Sequence, residues 1–115
     1  MQKNKPTAMM LGRWQPWHAG HQALFEETFK KTGQVIIMVR DLPKDKNNPF
    51  DYKEVKKRIK TALTKYKGKF KIIKVPNITN ICYGRGVGYK IEEIILPKEI
   101  QEISATKIRE KLNVL

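Results

Sequence analysis

The sequence is poor in cysteine, in acidic residues and in long apolar stretches, and each scarcity removes a class of protein. Cys82 is the only cysteine among 115 residues, so neither an internal disulfide nor a cysteine-based metal site can form within one chain. A reducing compartment is compatible with that usage. No apolar run approaches the roughly 20 residues of a membrane-spanning helix. The opening Met1-Gln2-Lys3-Asn4-Lys5 is not followed by an apolar stretch of signal-peptide type. Together these features predict a cytoplasmic protein that does not engage a membrane. Only 11 Asp and Glu stand against 24 Lys and Arg, a net charge of +13. A field of that sign attracts nucleic acid, anionic membrane surfaces or small phosphorylated substrates, and composition does not choose among them.

What is present fits one folded unit. Hydrophobic residues make up 40% and charged residues 30%, a mix that excludes disorder and fibrous repeats. The length predicts a single domain over residues 1–115, burying roughly two-thirds of its unfolded surface. Ala8-Met9-Met10-Leu11 reads as a first strand ending at Gly12, and a helical pattern from about Gly20 to Thr32 stops at Gly33. Val35-Ile36-Ile37-Met38-Val39 is a continuous apolar run, as expected of a parallel strand covered on both faces. A loop over 41–49 precedes a second helix, in which Tyr52, Val55, Ile59, Ala62 or Leu63, and Tyr66 form the inner stripe. Further strands are expected around Phe70–Val75, Ile78–Tyr83 and Ile91–Leu96, with Cys82 as a small core residue, and a last helix over about Ser104–Leu112. Strands alternating with helices predict an α/β fold with a mostly parallel five-stranded sheet. Its ligands belong at the carboxyl ends of the strands.

Both histidines of the chain fall at the first such end, in Gly12-Arg13-Trp14-Gln15-Pro16-Trp17-His18-Ala19-Gly20-His21. Gly20 lets backbone come close to a ligand, and a helix starting there directs unpaired N–H groups at it. Two imidazoles donating into one spot suit a phosphate; the plainer alternative is a pair of surface or helix-capping histidines. This segment resembles the G-x-x-x-x-x-H-x-G-H signature of the nucleotidyltransferase superfamily. The superfamily's second signature, I-S-x-T-x-I-R, is matched by Ile103-Ser104-Ala105-Thr106-Lys107-Ile108-Arg109.

The resemblance implies a Rossmann-like fold and transfer of a nucleoside monophosphate from a triphosphate to a phosphorylated acceptor, with release of pyrophosphate. It implies that His18 and His21 touch the triphosphate, with nucleotide contacts from Gly12, Arg13, Trp14, Gln15 and Gly20. Ile103, Ser104 and Thr106 would hold the distal phosphates, and Arg109 would add charge. Ser104 or Thr106 could equally be an ordinary helix cap, and the two tryptophans could be packing. Lys46, or Lys44, would meet the acceptor or the α-phosphate, and Lys56, Lys57 and Arg58 compete for one further phosphate role. Gly84, Arg85 and Tyr89 would surround the nucleoside. Mg²⁺ would arrive held mainly by the triphosphate, no protein metal ligands are expected, and the family resemblance suggests a homodimer.

The nucleotide is divided between two readings. The G-R-x-Q-P-x-H form resembles nicotinamide-mononucleotide adenylyltransferases, as does Asn48-Pro49-Phe50. The compact length and the ending Leu96-Pro97-Lys98-Glu99 through Ile108 resemble glycerol-3-phosphate cytidylyltransferase. The balance favours CTP with a small phosphorylated alcohol, and ATP is the alternative. A nucleic-acid-binding module is a lesser alternative: residues 53–74 hold ten Lys or Arg against Glu54 alone. The aromatic residues there fall at core spacing, however, and do not interleave with the basic face as base-stacking platforms do.

Overall fold

The computed structural model describes residues 1–86 and 88–113. Three strands, β1 (Ala8–Gly12), β2 (Val35–Arg40) and β3 (Phe70–Val75), form a parallel sheet in the order β1-β2-β3. Ala8 lies opposite Val35, and Val35 opposite Phe70. The helices are α1 (Ala19–Thr32), α2 (Tyr52–Ala62), α3 (Lys98–Gln101) and α4 (Ala105–Asn113), with a 3-10 turn over Thr64–Tyr66.

Local chemistry sets the ends of the two long helices. His18 caps α1, and Gly33 closes it in a left-handed conformation with its N–H donating to the Phe29 carbonyl. Lys30 and Lys31 occupy the last turn, where cations oppose the helix dipole. Asp51 accepts from the Glu54 N–H at 2.9 Å to start α2.

The crossovers from β1 to β2 and from β2 to β3 step in the same direction, and right-handed connections put α1 and α2 on one face of the sheet. There Met10, Val35, Ile37 and Val39 pack with Phe25 of α1 and with Val55, Ile59 and Leu63 in and just after α2. Neighbouring strand residues point to opposite faces, so Ile36 and Met38 turn to the other side, where they are only half-buried. The second face is thus less covered than the apolar run of β2 suggests. No helix among the described residues is long and apolar enough to cross a membrane.

The expected fourth and fifth strands do not form. Residues 78–83 and 91–96 are irregular, and Ile81, Tyr83, Ile91 and Ile95 are exposed, Ile95 by 80%. Cys82, expected in the core, is free and exposed. Pro76 ends β3; beyond it the Asn77 side chain accepts from Arg40 of β2, and the Thr79 hydroxyl donates to the Asn80 side chain. The second helix also stops at Ala62, short of Tyr66 in the expected inner stripe, because the chain tightens into the 3-10 turn. The short α3, begun at Pro97, has no counterpart in the periodicity. Val87, between the Arg85 and Tyr89 expected to surround the nucleoside, lies outside the described residues, as do Val114 and Leu115.

Phe25 is fully buried and meets the rings of Phe29, Tyr66 and Phe70 at 5.0–6.3 Å. Phe25→Ala is expected to cost about 3–5 kcal/mol. Urea unfolding checks this as a lower midpoint with an unchanged slope.

Candidate active site

The loop after β1 delivers its two histidines as one interlocked unit. His18 is the cap residue of α1: its Nδ1 accepts from the Gly20 N–H at 3.0 Å and the His21 N–H at 3.4 Å. The backbone N–H of His18 donates in return to Nδ1 of His21 at 3.2 Å. The rings stack with centroids 3.6 Å apart and planes 18° from parallel. With both Nδ1 atoms engaged as acceptors, each neutral ring carries its proton on Nε2. Capping uses one nitrogen of each ring and leaves the Nε2–H of each as a donor.

Gly20 is what allows this arrangement. A Cβ there would lie 2.8 Å from Cε1 of His18, a ring already fixed by its two hydrogen bonds. At Gly12, likewise, a Cβ would come within 2.8 Å of the Trp14 ring. Trp14 is buried, donates from Nε1 to the Met38 carbonyl at 3.0 Å and meets His21 edge-on at 4.8 Å. Trp17 lies 5.5 Å from His21 and 5.2 Å from Trp14, so the three rings form one cluster. The tryptophans exclude water from the imidazole. Burial, and then the nearby His18, push the pKa of His21 down to about 3, and burial lowers His18 as well. At neutral pH the pair is uncharged and offers hydrogen bonds.

Above His21 lies a cavity of about 140 Å³ lined by Gly12, Arg13, Trp14, Gln15, His21, Ala105 and Arg109. It lies at the carboxyl end of β1, as the parallel topology requires. It holds two arginines and no carboxylate among its lining residues. Its volume is below the roughly 300 Å³ at which pockets for whole small molecules begin, so it suits a phosphate group. The start of α4 forms its far wall. Ser104 accepts from the Lys107 N–H at 3.4 Å, as a helix cap does. Arg109, itself buried, donates to the Gln15 carbonyl at 2.7 Å and to the Thr106 hydroxyl at 3.2 Å.

The structure therefore gathers Gly12, Arg13, Trp14, Gln15, His21 and Arg109 around one cavity, with His18, Gly20, Ser104 and Thr106 beside them and Ile103 half-buried before the helix. Lys44 and Lys46 are exposed on their loop and do not line the cavity. Gly84, Arg85 and Tyr89 are exposed as well, the Tyr89 hydroxyl donating back to the Arg85 carbonyl at 3.4 Å. On α2, Arg58 pairs with Glu54 at 3.0 Å and lies over the Phe50 ring at 4.3 Å, and Lys56 approaches the Tyr52 ring; Lys57 is exposed. Ala105 was not singled out from the sequence as a lining residue, although it stands inside the second motif.

A family model described as cytidylyltransferase-like matches residues 9–78, well over half of the chain, and the chain belongs to that family of nucleotidyltransferases. The match includes both histidines and ends before the second motif. A nicotinamide-nucleotide adenylyltransferase of Methanococcus aeolicus is 32% identical over 73 residues, 62% of this chain and 42% of that one. The chain thus spans less than half the length of this relative. Among solved structures, a bifunctional NMN adenylyltransferase/ADP ribose pyrophosphatase from Francisella tularensis aligns with a TM-score of 0.58 at 22% identity. The alignment covers 63% of this chain and 22% of that one. The same protein complexed with AMP and a manganese ion gives 0.52 over the same shares, again at 22% identity. These structures support the fold. The named relative agrees with the ATP alternative rather than with the CTP reading that the sequence balance favoured.

The depressed His21 pKa has a consequence for stability. Unfolded, His21 takes up a proton below about 6.5, whereas the folded protein resists it until about 3. Its contribution is therefore fully present above about 6.5 and declines as pH falls toward 3. His21→Asn, which keeps an acceptor for the His18 N–H, is expected to flatten the loss of stability between pH 7.5 and 4.5. Urea midpoints at the two pH values check the difference from wild type.

Proposed function

We propose that the chain is a nucleotidyltransferase domain spanning residues 1–115 that moves AMP from ATP to nicotinamide mononucleotide and releases pyrophosphate. The observation that carries this reading is the pair of fixed Nε2–H donors beside a carboxylate-free cavity walled by Arg109 and the start of α4. The choice of ATP is supported by the archaeal relative and by the Gly12-Arg13-Trp14-Gln15-Pro16-Trp17-His18 form of the first motif.

In the proposed reaction an oxygen of the acceptor's phosphate attacks the α-phosphorus of ATP. The bond from that phosphorus to its bridging oxygen breaks, and its electron pair leaves with pyrophosphate. The nucleophile is already anionic, so no protein base is required, and catalysis consists of positioning and charge stabilisation. His18 and His21 donate to the α-phosphoryl oxygens as negative charge shifts onto the leaving group. Their rings are held by the helix cap and need no reorientation, which is the condition for electrostatic catalysis. Ser104, Thr106 and Arg109 take the distal phosphates, and Lys46 or Lys44 meets the acceptor phosphate.

Among the described residues no three of His, Cys, Asp and Glu gather where they could hold a metal. The arginines and imidazoles present fit Mg²⁺ as a companion of the triphosphate, bound by phosphate oxygens and water and neutralising part of their charge. The family resemblance also supports a homodimer.

With Mg²⁺, ATP at about 100 times its dissociation constant is expected to stabilise the fold by about 2.7 kcal/mol, a rise of several degrees in Tm. A rise with CTP alone would instead make the chain a cytidylyltransferase. In a pyrophosphate-release assay with ATP and nicotinamide mononucleotide, His18→Ala and His21→Ala are each expected to lower kcat by about 100-fold or more. Undiminished turnover would remove the imidazoles from the mechanism.

A further inference from the structure

Gln15 is one of the residues lining the cavity and is only 6% exposed, and its side chain is hydrogen-bonded to a residue outside that lining. Its Nε2 donates to the Phe50 carbonyl at 2.9 Å, and its Oε1 accepts from the Phe50 N–H at 3.0 Å. One carboxamide thus satisfies both polar groups of a single residue 35 positions away, as a neighbouring strand would. Phe50 terminates a compact turn. Asp45 Oδ1 accepts from the N–H groups of Asn47 and Asn48, each at 2.8 Å, and from Asn48 Nδ2 at 3.0 Å. The backbones of Asp45 and Asn48 also bond reciprocally. Asn48 is buried, whereas Lys44 and Lys46 flank Asp45 in solvent. Arg13 of the histidine loop places its charge near the Asp45 carboxylate. On its other side the Gln15 carbonyl accepts from Arg109 at 2.7 Å.

We propose that Gln15 is a positioning residue: it clamps the 44–50 turn to the histidine loop and so fixes where Lys44 and Lys46 stand relative to His18 and His21. The inference rests on the reading of the cavity as the site of phosphoryl chemistry, because only there does the placement of those lysines affect a reaction. Both ends of the Gln15 carboxamide are bonded to Phe50, which orients the group on the turn. Gln15 therefore acts on the acceptor side of the reaction through the turn it holds. The carboxamide is the required group, since Phe50 presents one donor and one acceptor. A carboxylate would satisfy the N–H and repel the carbonyl, whereas a protonated carboxyl would satisfy both.

The test uses Gln15→Met, which keeps the shape and loses both bonds, and Gln15→Glu. In Gln15→Met the Tm rise produced by Mg²⁺-ATP is expected to stay as in wild type, while kcat/KM for nicotinamide mononucleotide falls about tenfold to a hundredfold, the scale of buried hydrogen bonds left unpaired. In Gln15→Glu the deficit relative to wild type is expected to shrink as pH falls and the carboxyl takes up its proton. Hydrogen exchange is read in parallel: protection of the Asn47, Asn48 and Phe50 amides drops in Gln15→Met, and that of β2 and α1 is retained. Wild-type kcat/KM for the acceptor in Gln15→Met, or unchanged protection of the turn, overturns the proposal. So does an equal loss of ATP and acceptor binding, which would make Gln15 a general stabiliser. If wild type itself does not turn over ATP with the mononucleotide, the functional reading fails on its own, and the exchange measurement still decides whether Gln15 holds the turn. Should Gln15→Met not fold, the pH dependence of Gln15→Glu decides.

Discussion

The reciprocal cap between His18 and His21 is the constraint on which the rest of the site depends. A helix start leaves several N–H groups without partners, and serine or aspartate commonly supplies the missing acceptor. Here imidazole supplies it, and the second imidazole returns the bond to the first residue's backbone. The same geometry starts α1, sets the tautomer of both rings and forbids a side chain at residue 20. Fold and chemistry cannot be separated at this point, because the atoms that begin the helix also orient the donors.

Around that cap the remaining interactions converge by distance in sequence. Trp14 brings in the strand β2 through the Met38 carbonyl, Gln15 brings in the loop before α2, and Arg109 brings in α4 across 94 positions. Three consecutive functions, the wall, the clamp and the distal anchor, are thus attached to a loop of a few residues. The cavity's positive lining and the overall charge of +13 act together, the first locally and the second by raising the rate at which anions arrive.

Much of the fold was legible because it is local. Gly33 marked the end of α1, and the inner stripe of Val55, Ile59 and Leu63 was readable from spacing alone. The histidine motif was legible for the same reason: its residues are neighbours in the chain. The pairing of Gln15 with Phe50 and the burial of Arg109 were not, since no periodicity encodes contacts between loops. Residues 78–96 misled because their isoleucines and tyrosines have strand propensity, which describes fit to a half-buried surface and does not supply one. The balance toward CTP rested on length and on the C-terminal ending, whereas the first motif, which supplies most of the residues lining the cavity, agrees with the adenylyltransferase relative.

The sheet has two edges of different character. β1 reads Ala-Met-Met-Leu-Gly and carries no charge, whereas β3 presents Lys71 and Lys74 to solvent. A strand with open backbone groups is a template for further strands, and lysine is one way in which proteins blunt it. A second copy approaching β3 with its own β3 would bring lysine against lysine and desolvate both. The sheet is therefore directional toward its own kind: accretion of copies is resisted along β3, so any growth of the sheet by self-addition is channelled to the uncharged side.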